Sequence, residues 1–370
     1  MFLVIVTFQI TFQLSRRISF KFMIMSASAD KNANDDTATK NLFLPAWKMV
    51  HSVIKNQTYN NEREKMVKGQ LGEVNWIRDE VWFQNQTEER GCCPFAKVLY
   101  KNRYAPDFRC CTSRLHLIDP LRAIGGADYL GFLRGNNKNL TILIQGDSLA
   151  EQHFLGMICY AWSKHSLPVE LKRVSQQSDH HPGTAWQATI TIGKHKKDGN
   201  DILFTIQYLR WDVPVIAPKE NYDAFDVPDF LFLGGWHHGS NGKDSIANFV
   251  QRMRTHLDDR GERVFVIDDL PGHFPGGKYR KDGNYVSTNC TQNPYHGPKE
   301  APSQNENISS AIENLTNVTL LQVSKLYIHR GNAHIGVVPD RKMDCRHWCI
   351  APGVLDALTR NTLAAIYNSL

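Results

Sequence analysis

The sequence has no pair of cysteines in the C-x-x-C spacing, although it holds eight cysteines in 370 residues. Zinc ribbons are built on that spacing, so the thiols point to another role. Long Lys/Arg runs are also missing, and the formal charge of +6 is a weak excess for a chain of this length. The compact basic cluster GKHKKDG, 193–199, reads as a hairpin turn, so no nucleic-acid partner is expected. No internal repeat is visible. The composition is 42% apolar and 22% charged. That is ordinary for a globular protein and excludes a largely disordered chain. The length suffices for one large domain with a sizeable core, and a smaller addition.

The cysteines stand at 92, 93, 110, 111, 159, 290, 345 and 349. Seven N-x-S/T sequons accompany them, at Asn56, Asn85, Asn139, Asn289, Asn307, Asn314 and Asn317. Together they favour the secretory pathway, Golgi lumen or secreted, with disulfides. Residues 1–29 read as a signal peptide or a signal anchor, and a later start at Met23 or Met25 is a third reading. The apolar opening MFLVIVTFQITFQL is shorter than the about 20 residues a spanning helix needs, and its basic residues follow it. A cleaved leader and a single N-terminal membrane anchor both stay open. Residues 30–41 continue a polar stretch that begins at Ser26 and read as a disordered stem. Residues 42–135 form a Cys-rich, irregular segment expected to pack on a catalytic domain at 136–370.

From 136 the pattern becomes regular. LTILIQ at 140–145 is a short buried strand. Leu155, Cys159 and Trp162, with Phe154 and Ile158, then recur at helical spacing. Residues 188–193 and 201–211 read as a hairpin around the basic turn. DFLFLGG at 229–235, RVFVIDDL at 263–270 and VTLLQVSKLYI at 318–328 read as further strands, with an amphipathic helix over 245–259 and a closing helix over 353–370. Alternating strands and helices predict an α/β fold with a mainly parallel sheet covered on both faces. Sites in such sheets form beyond the carboxyl ends of the strands.

Ser148 follows the first core strand and opens a helix, where its backbone N–H favours negative charge. That is a place to stabilise an oxyanion. Gly146 permits the tight turn, and Asp147 holds it by side-chain hydrogen bonding. The plainer alternative is that Ser148 is a helix N-cap. A hydroxyl needs a base, and His347 supplies one, with Asp344 three residues before it on the same loop to orient the ring. His347 as an exposed loop residue, or as a cap of the last helix, is the alternative.

GDS after an early strand, with Asp-x-x-His just before the last helix, resembles the block order of the SGNH (GDSL-like) hydrolases. DCRHWCIAPGVLD at 344–356 resembles more closely the closing motif of the PC-esterase domain, as in the trichome birefringence-like polysaccharide O-acetyltransferases. LPGHFPGGKY at 270–279 is similar to that family's Pro-x-His-Phe-x-Gly-Gly-x-Trp segment, with Tyr279 in place of Trp. DFLFLGGWHHG at 229–239 sits where the family has Asp-x-Leu-x-Phe-Asn-Thr-Gly-His-Trp-Trp. The resemblance covers about residues 90–370. Three departures stand out: Gly234 occupies the family's Asn position, Ala150-Glu151-Gln152 replaces Arg-Asn-Gln, and Ala351 is one residue extra.

The resemblance implies a three-layer α/β/α SGNH-like domain carrying a Cys-rich irregular N-terminal extension. It implies an O-acyl, most simply O-acetyl, transferase acting on glycan hydroxyls through Ser148, His347 and Asp344. An acetyl esterase of the same fold and a non-catalytic glycan-binding protein are the alternatives. The oxyanion would be held by the Ser148 N–H and that of Gly234 or Gly235. The implied partners are a polysaccharide or glycan acceptor and an acyl donor that the sequence does not specify, with no dissociable cofactor. It also implies that Cys345 pairs with Cys290, and Cys349 with a cysteine in the 92–111 region. His237, His273 and Trp236 are substrate-cleft candidates, although His273 at a strand end and Trp186, Trp211 and Trp236 fit core packing as well. The His pairs 180–181 and 237–238 lie on separate loops in no zinc-like spacing, so no metal is expected.

Overall fold

The computed structural model describes residues 74–80, 93–99, 121–131, 138–175, 183–195, 198–211, 216–236, 243–256, 263–275, 289–291, 302–338, 341–350 and 353–370. All belong to the second of two units into which the chain divides, Met1–Asn61 and Glu62–Leu370. The leader and stem expected over 1–41 lie outside the described residues. Among those described, no helix is long and apolar enough to cross a membrane.

The elements run β1 (Asn75–Arg78), α1 (Pro94–Leu99), β2 (Leu121–Ile124), β3 (Leu140–Gly146), α2 (Ser148–His165), β4 (Val169–Arg173), β5 (Ala185–Lys194), β6 (Asp201–Arg210), α3 (Lys219–Tyr222) and β7 (Phe230–Gly234). There follow α4 (Lys243–His256), β8 (Arg263–Ile267), α5 (Pro302–Ile312), β9 (Val318–Leu321), α6 (Ser324–Tyr327), β10 (His334–Val338), β11 (Arg341–Trp348) and α7 (Asp356–Tyr367). The seven-stranded sheet has the order β4-β5-β6-β3-β7-β8-β9. β6, β3, β7, β8 and β9 are parallel, and β4 and β5 form an antiparallel edge. The mainly parallel α/β sheet is therefore as expected.

Period-2 alternation sends each central strand's side chains into two cores. Ile142, Ile144, Phe230, Phe232, Phe265 and Ile267 join the core beneath α2 and α7. Leu143, Leu231, Leu233, Val264 and Val266 join the core beneath α4 and α5. Both faces are covered, so these strands read as unbroken apolar runs. α2 is the central helix, buried at every position from Leu149 to Ala161. Asp147 caps its start, accepting from the Leu149 N–H at 2.8 Å. Ser166 ends it in the left-handed region at φ 53°, donating to Ala161 and Trp162. The N-terminal extension is tied on by the Cys93–Cys159 disulfide and by the Trp76 Nε1–H donating to the Leu326 carbonyl at 2.8 Å.

Two segments differ from the sequence expectation. The strand expected over 318–328 stops at Leu321. The buried Asp268 carboxylate accepts from the Val323 N–H at 2.8 Å and the Ser324 N–H at 3.0 Å, which turns the chain into α6. Asp344 and His347, expected on a loop, lie on β11, paired antiparallel with β10. Phe232 is fully buried, stacked on Phe265 at 4.8 Å and edge-on to His153. Phe232→Ala is expected to cost about 3–5 kcal/mol, read as a lowered denaturant midpoint with an unchanged m-value.

Candidate active site

The turn that carries Ser148 is forced by two glycines. β3 and β7 run side by side with Gly146 opposite Gly234. A Cβ at Gly146 would lie 2.0 Å from the Gly234 carbonyl oxygen. A Cβ at Gly235, where φ is +76°, would lie 2.0 Å from Asp147 Oδ1. The two strand ends thus approach more closely than any side chain allows. Asp147 is fully buried between them, and its carbonyl accepts from the Tyr208 hydroxyl at 3.0 Å. Gly234 is different, because a Cβ there meets only Ile267 at ordinary contact distance, 3.5 Å. The Asn of the similar family at this position is therefore absent for no steric reason at the Cβ.

Ser148 is half-buried at the first position of α2. Its Oγ lies 2.7 Å from His347 Nε2. His347 Nδ1 lies 2.8 Å from Asp344 Oδ2. Asp344 Oδ1 accepts from the backbone N–H groups of Arg346 at 3.1 Å and His347 at 3.0 Å. The carboxylate only accepts, so Nδ1 carries the proton and neutral Nε2 faces the hydroxyl as a base. Burial pushes the Asp344 carboxyl up, but the His347 charge and these hydrogen bonds prevail and bring it down to about 2. Burial likewise pushes His347 down, and the Asp344 charge and hydrogen bond, with a smaller pull from Asp147, leave it raised above 6.5. The two side chains remain 18% and 17% exposed, so a ligand can reach them.

A bulge aims His347. His334 pairs with Trp348 and Gly336 with Asp344, so one residue of β10 faces three of β11. Such an excess bends a strand and redirects its side chains. The bulge is fastened on all sides. The Gln152 amide of α2 donates to the Trp348 carbonyl at 2.8 Å and accepts from the Trp348 N–H at 3.0 Å. Cys345 is bonded to Cys290. Arg346 donates to both oxygens of Asp269, at 2.8 and 2.9 Å. Cys349 is disulfide-bonded as well, with its partner outside the described residues, and its N–H donates to the Ala333 carbonyl at 2.8 Å. The Cys290–Cys345 pairing implied by the family resemblance is present.

The cleft candidates fare differently. Trp236 is fully buried, donates to the Ile267 carbonyl at 2.7 Å and packs edge-on against Phe249. It is a core residue and faces no cleft. His273 is also fully buried, held by Ile328 and His334, and does not line a cleft. Trp186 is buried too, and Trp211 is partly buried against the second core. His237 and the two His pairs lie outside the described residues. Among those described, no group of three or more His, Cys, Asp or Glu side chains is arranged to hold a metal. Sequence reasoning missed Gln152, His334 and the ion pair between Arg210 and Glu151, 2.8 Å long with Glu151 2% exposed. Only Gln152 had a signal, since it keeps the family's residue while Ala150 and Glu151 depart from it.

Residues 237–363 match the family model PC-Esterase, described as a GDSL/SGNH-like acyl-esterase family found in Pmr5 and Cas1p. The chain is 28% identical over 188 residues to a probable xylan O-acetyltransferase 8 of Oryza sativa subsp. japonica, covering 45% of this chain and 41% of that protein. It is 33% identical over 123 residues to the protein trichome birefringence-like 6 of Arabidopsis thaliana, covering 31% of this chain and 26% of that protein. The matches thus span less than half the length of these curated relatives.

Two outcomes are expected. Gly235→Ala should destabilise by about 2 kcal/mol or more, while Gly234→Ala should stay within about 1 kcal/mol of wild type, both read from denaturant midpoints. The second concerns pH. The depressed Asp344 contributes stability that is present above 3.8 and lost as pH falls through about 2. The raised His347 contributes stability that is present below 6.5 and lost as pH rises through its native value. The melting-temperature gap between wild type and His347→Gln should therefore be widest between 3.8 and 6.5 and narrow on either side.

Proposed function

We propose that this protein, whose residues 237–363 match the PC-Esterase family model, is an O-acyltransferase, most simply an acetyltransferase, acting on polysaccharide hydroxyls through an acyl-serine. The observation that carries this is the hydrogen-bonded line from Ser148 Oγ through His347 to Asp344 Oδ2, at 2.7 and 2.8 Å. It supplies a nucleophile, a base and an orienting carboxylate at the carboxyl end of a parallel sheet.

The reaction balances as two displacements. Ser148 Oγ attacks the donor's acyl carbonyl as His347 Nε2 takes its proton. The Asp344 carboxylate steadies the imidazolium, and the carbonyl oxygen becomes an oxyanion. The Ser148 N–H at the start of α2 would hold that oxyanion, with the backbone N–H of Gly234 or Gly235 at the adjoining strand end as the second donor. Collapse breaks the bond to the donor's leaving group, which receives the proton from His347. A sugar hydroxyl then gives its proton to His347 and attacks the acyl-serine; collapse breaks the bond to Ser148 Oγ, which takes the proton back from His347 as the sugar ester leaves. No step calls for a metal or a dissociable cofactor.

A polysaccharide acceptor is supported by the relatives' names, and xylan enters as one candidate on that basis alone. Water as acceptor makes the same site an esterase, the reaction in the family's description. The secretory pathway is supported by the Cys93–Cys159 and Cys290–Cys345 disulfides. It is also supported by the exposure of the sequon residues Asn139, Asn289, Asn314 and Asn317. Residues 1–29 would direct entry, as leader or anchor.

Intact-protein mass spectrometry after incubation with an activated acetyl ester tests this reading. One acetyl adduct is expected on wild type and none on Ser148→Ala. Discharge faster with added polysaccharide than in buffer marks a transferase, and discharge by water alone an esterase. A wild-type protein with its disulfides intact and no adduct overturns the proposal.

A further inference from the structure

Behind the bulge of β11 lie two histidines that the proposed reaction does not use. His273 and His334 are both fully buried. His273 Nε2 is 2.8 Å from the Ile328 carbonyl oxygen. His334 Nδ1 is 3.0 Å from the His347 carbonyl oxygen. The two remaining ring nitrogens, His273 Nδ1 and His334 Nε2, face each other at 2.6 Å.

A carbonyl oxygen only accepts, so each outer nitrogen must carry a proton. A neutral imidazole has one N–H. If both rings were neutral, the two inner nitrogens would meet lone pair to lone pair at hydrogen-bond distance. Turning over His273 removes that conflict but sets a C–H against the Ile328 carbonyl and loses the inner hydrogen bond as well. Turning over His334 does the same at the His347 carbonyl. The arrangement that satisfies all three contacts has three protons on the two rings. We propose that His273 and His334 share a buried proton, forming a single-charged imidazole–imidazolium pair that positions the strand carrying His347.

Burial opposes this as the largest cause, and His273 is brought down to about 4 and His334 well below its ordinary value. Several neighbours oppose burial. The Trp348 indole is stacked on His334 with centroids 3.8 Å apart and an angle of 28°, and stands edge-on to His273 at 5.7 Å. A cation against that π-face is stabilised, the more so away from water. Charge-assisted hydrogen bonds to both carbonyls add to this. Of the charged and titratable groups facing the pair, Asp344 of β11 favours the proton, while Arg346 of β11 and His329 after α6 disfavour it. Arg346 is itself neutralised by Asp269. The proposal stands on the three-contact geometry, which no pair of neutral rings satisfies.

The pair touches the site through the backbone. His334 holds the His347 carbonyl, and the His273 N–H donates to the Cys345 carbonyl at 2.8 Å. Both ends of the bulge are thereby fixed. These are positioning residues, and their role in catalysis rests on the function proposed above.

The test is imidazole NMR on the full chain labelled with ring-15N histidine, at neutral pH. Three N–H protons from the two rings are expected, one of them correlated with a nitrogen of each ring, strongly deshielded and slow to exchange. That signal should vanish in His334→Gln, whose neutral amide donates to His273 without an added proton. Two N–H protons and two bare nitrogens in wild type overturn the proposal whether or not any variant folds. On the activity side, His334→Gln should slow Ser148 acetylation on the order of ten- to a hundredfold with little change in KM. Unchanged acetylation overturns the positioning role. Ser148→Ala should keep the three-proton signature while losing the adduct. A signature without any adduct in wild type thus defeats only the acyltransfer reading, and an adduct without the signature defeats only this one.

Discussion

The two-pronged contact between Gln152 and the Trp348 backbone is the constraint from which the site's geometry follows. Ser148 and His347 are 199 residues apart in the chain and belong to different layers. Gln152 is one helical turn beyond Ser148, and Trp348 is the residue after His347. An amide that both donates to and accepts from the backbone of one residue fixes distance and orientation together. It ties the nucleophile's helix to the base's strand one residue from the reacting atoms. The glycine contact between the ends of β3 and β7 sets the other boundary, because it leaves Asp147 no room to shift and so fixes the start of α2.

Around that contact, two charged groups are partnered more than once. Asp344 has three N–H donors and Arg346 two carboxylate oxygens. A partly satisfied buried group costs free energy, whereas a fully satisfied one stiffens its surroundings. The aromatic ring of Trp348 packs against Tyr327, His273 and His334 beside them.

Much of this was legible in the sequence, and the limits have physical causes. The central strands were readable because burial on both faces makes β3, β7 and β8 unbroken apolar runs. Ser148, Asp344 and His347 were readable because their chemistry demands particular residues next to particular breaks. β11 was not, since its bulge interrupts the alternation after Cys345 and its residues are Asp, Arg and His. The end of β9 was hidden for a different reason: Asp268, 55 residues upstream of Val323, redirects the chain there, and no local pattern records a distant cap. Trp236 and His273 looked like cleft residues because strand ends so often line clefts. In each case the ring's polar atom found a backbone carbonyl inside, and the side chain went with it.

The disulfide at Cys345 has a consequence in time as well as in space. The residue between Asp344 and Arg346 is joined to Cys290, and Cys349, one residue past Trp348, is cross-linked too. Before oxidation, the strand that bears the base lacks both covalent braces and is held by non-covalent contacts. A newly made chain therefore acquires its fully braced site only where thiols are oxidised. The bracing of the candidate site is in this way tied to the redox state of its surroundings.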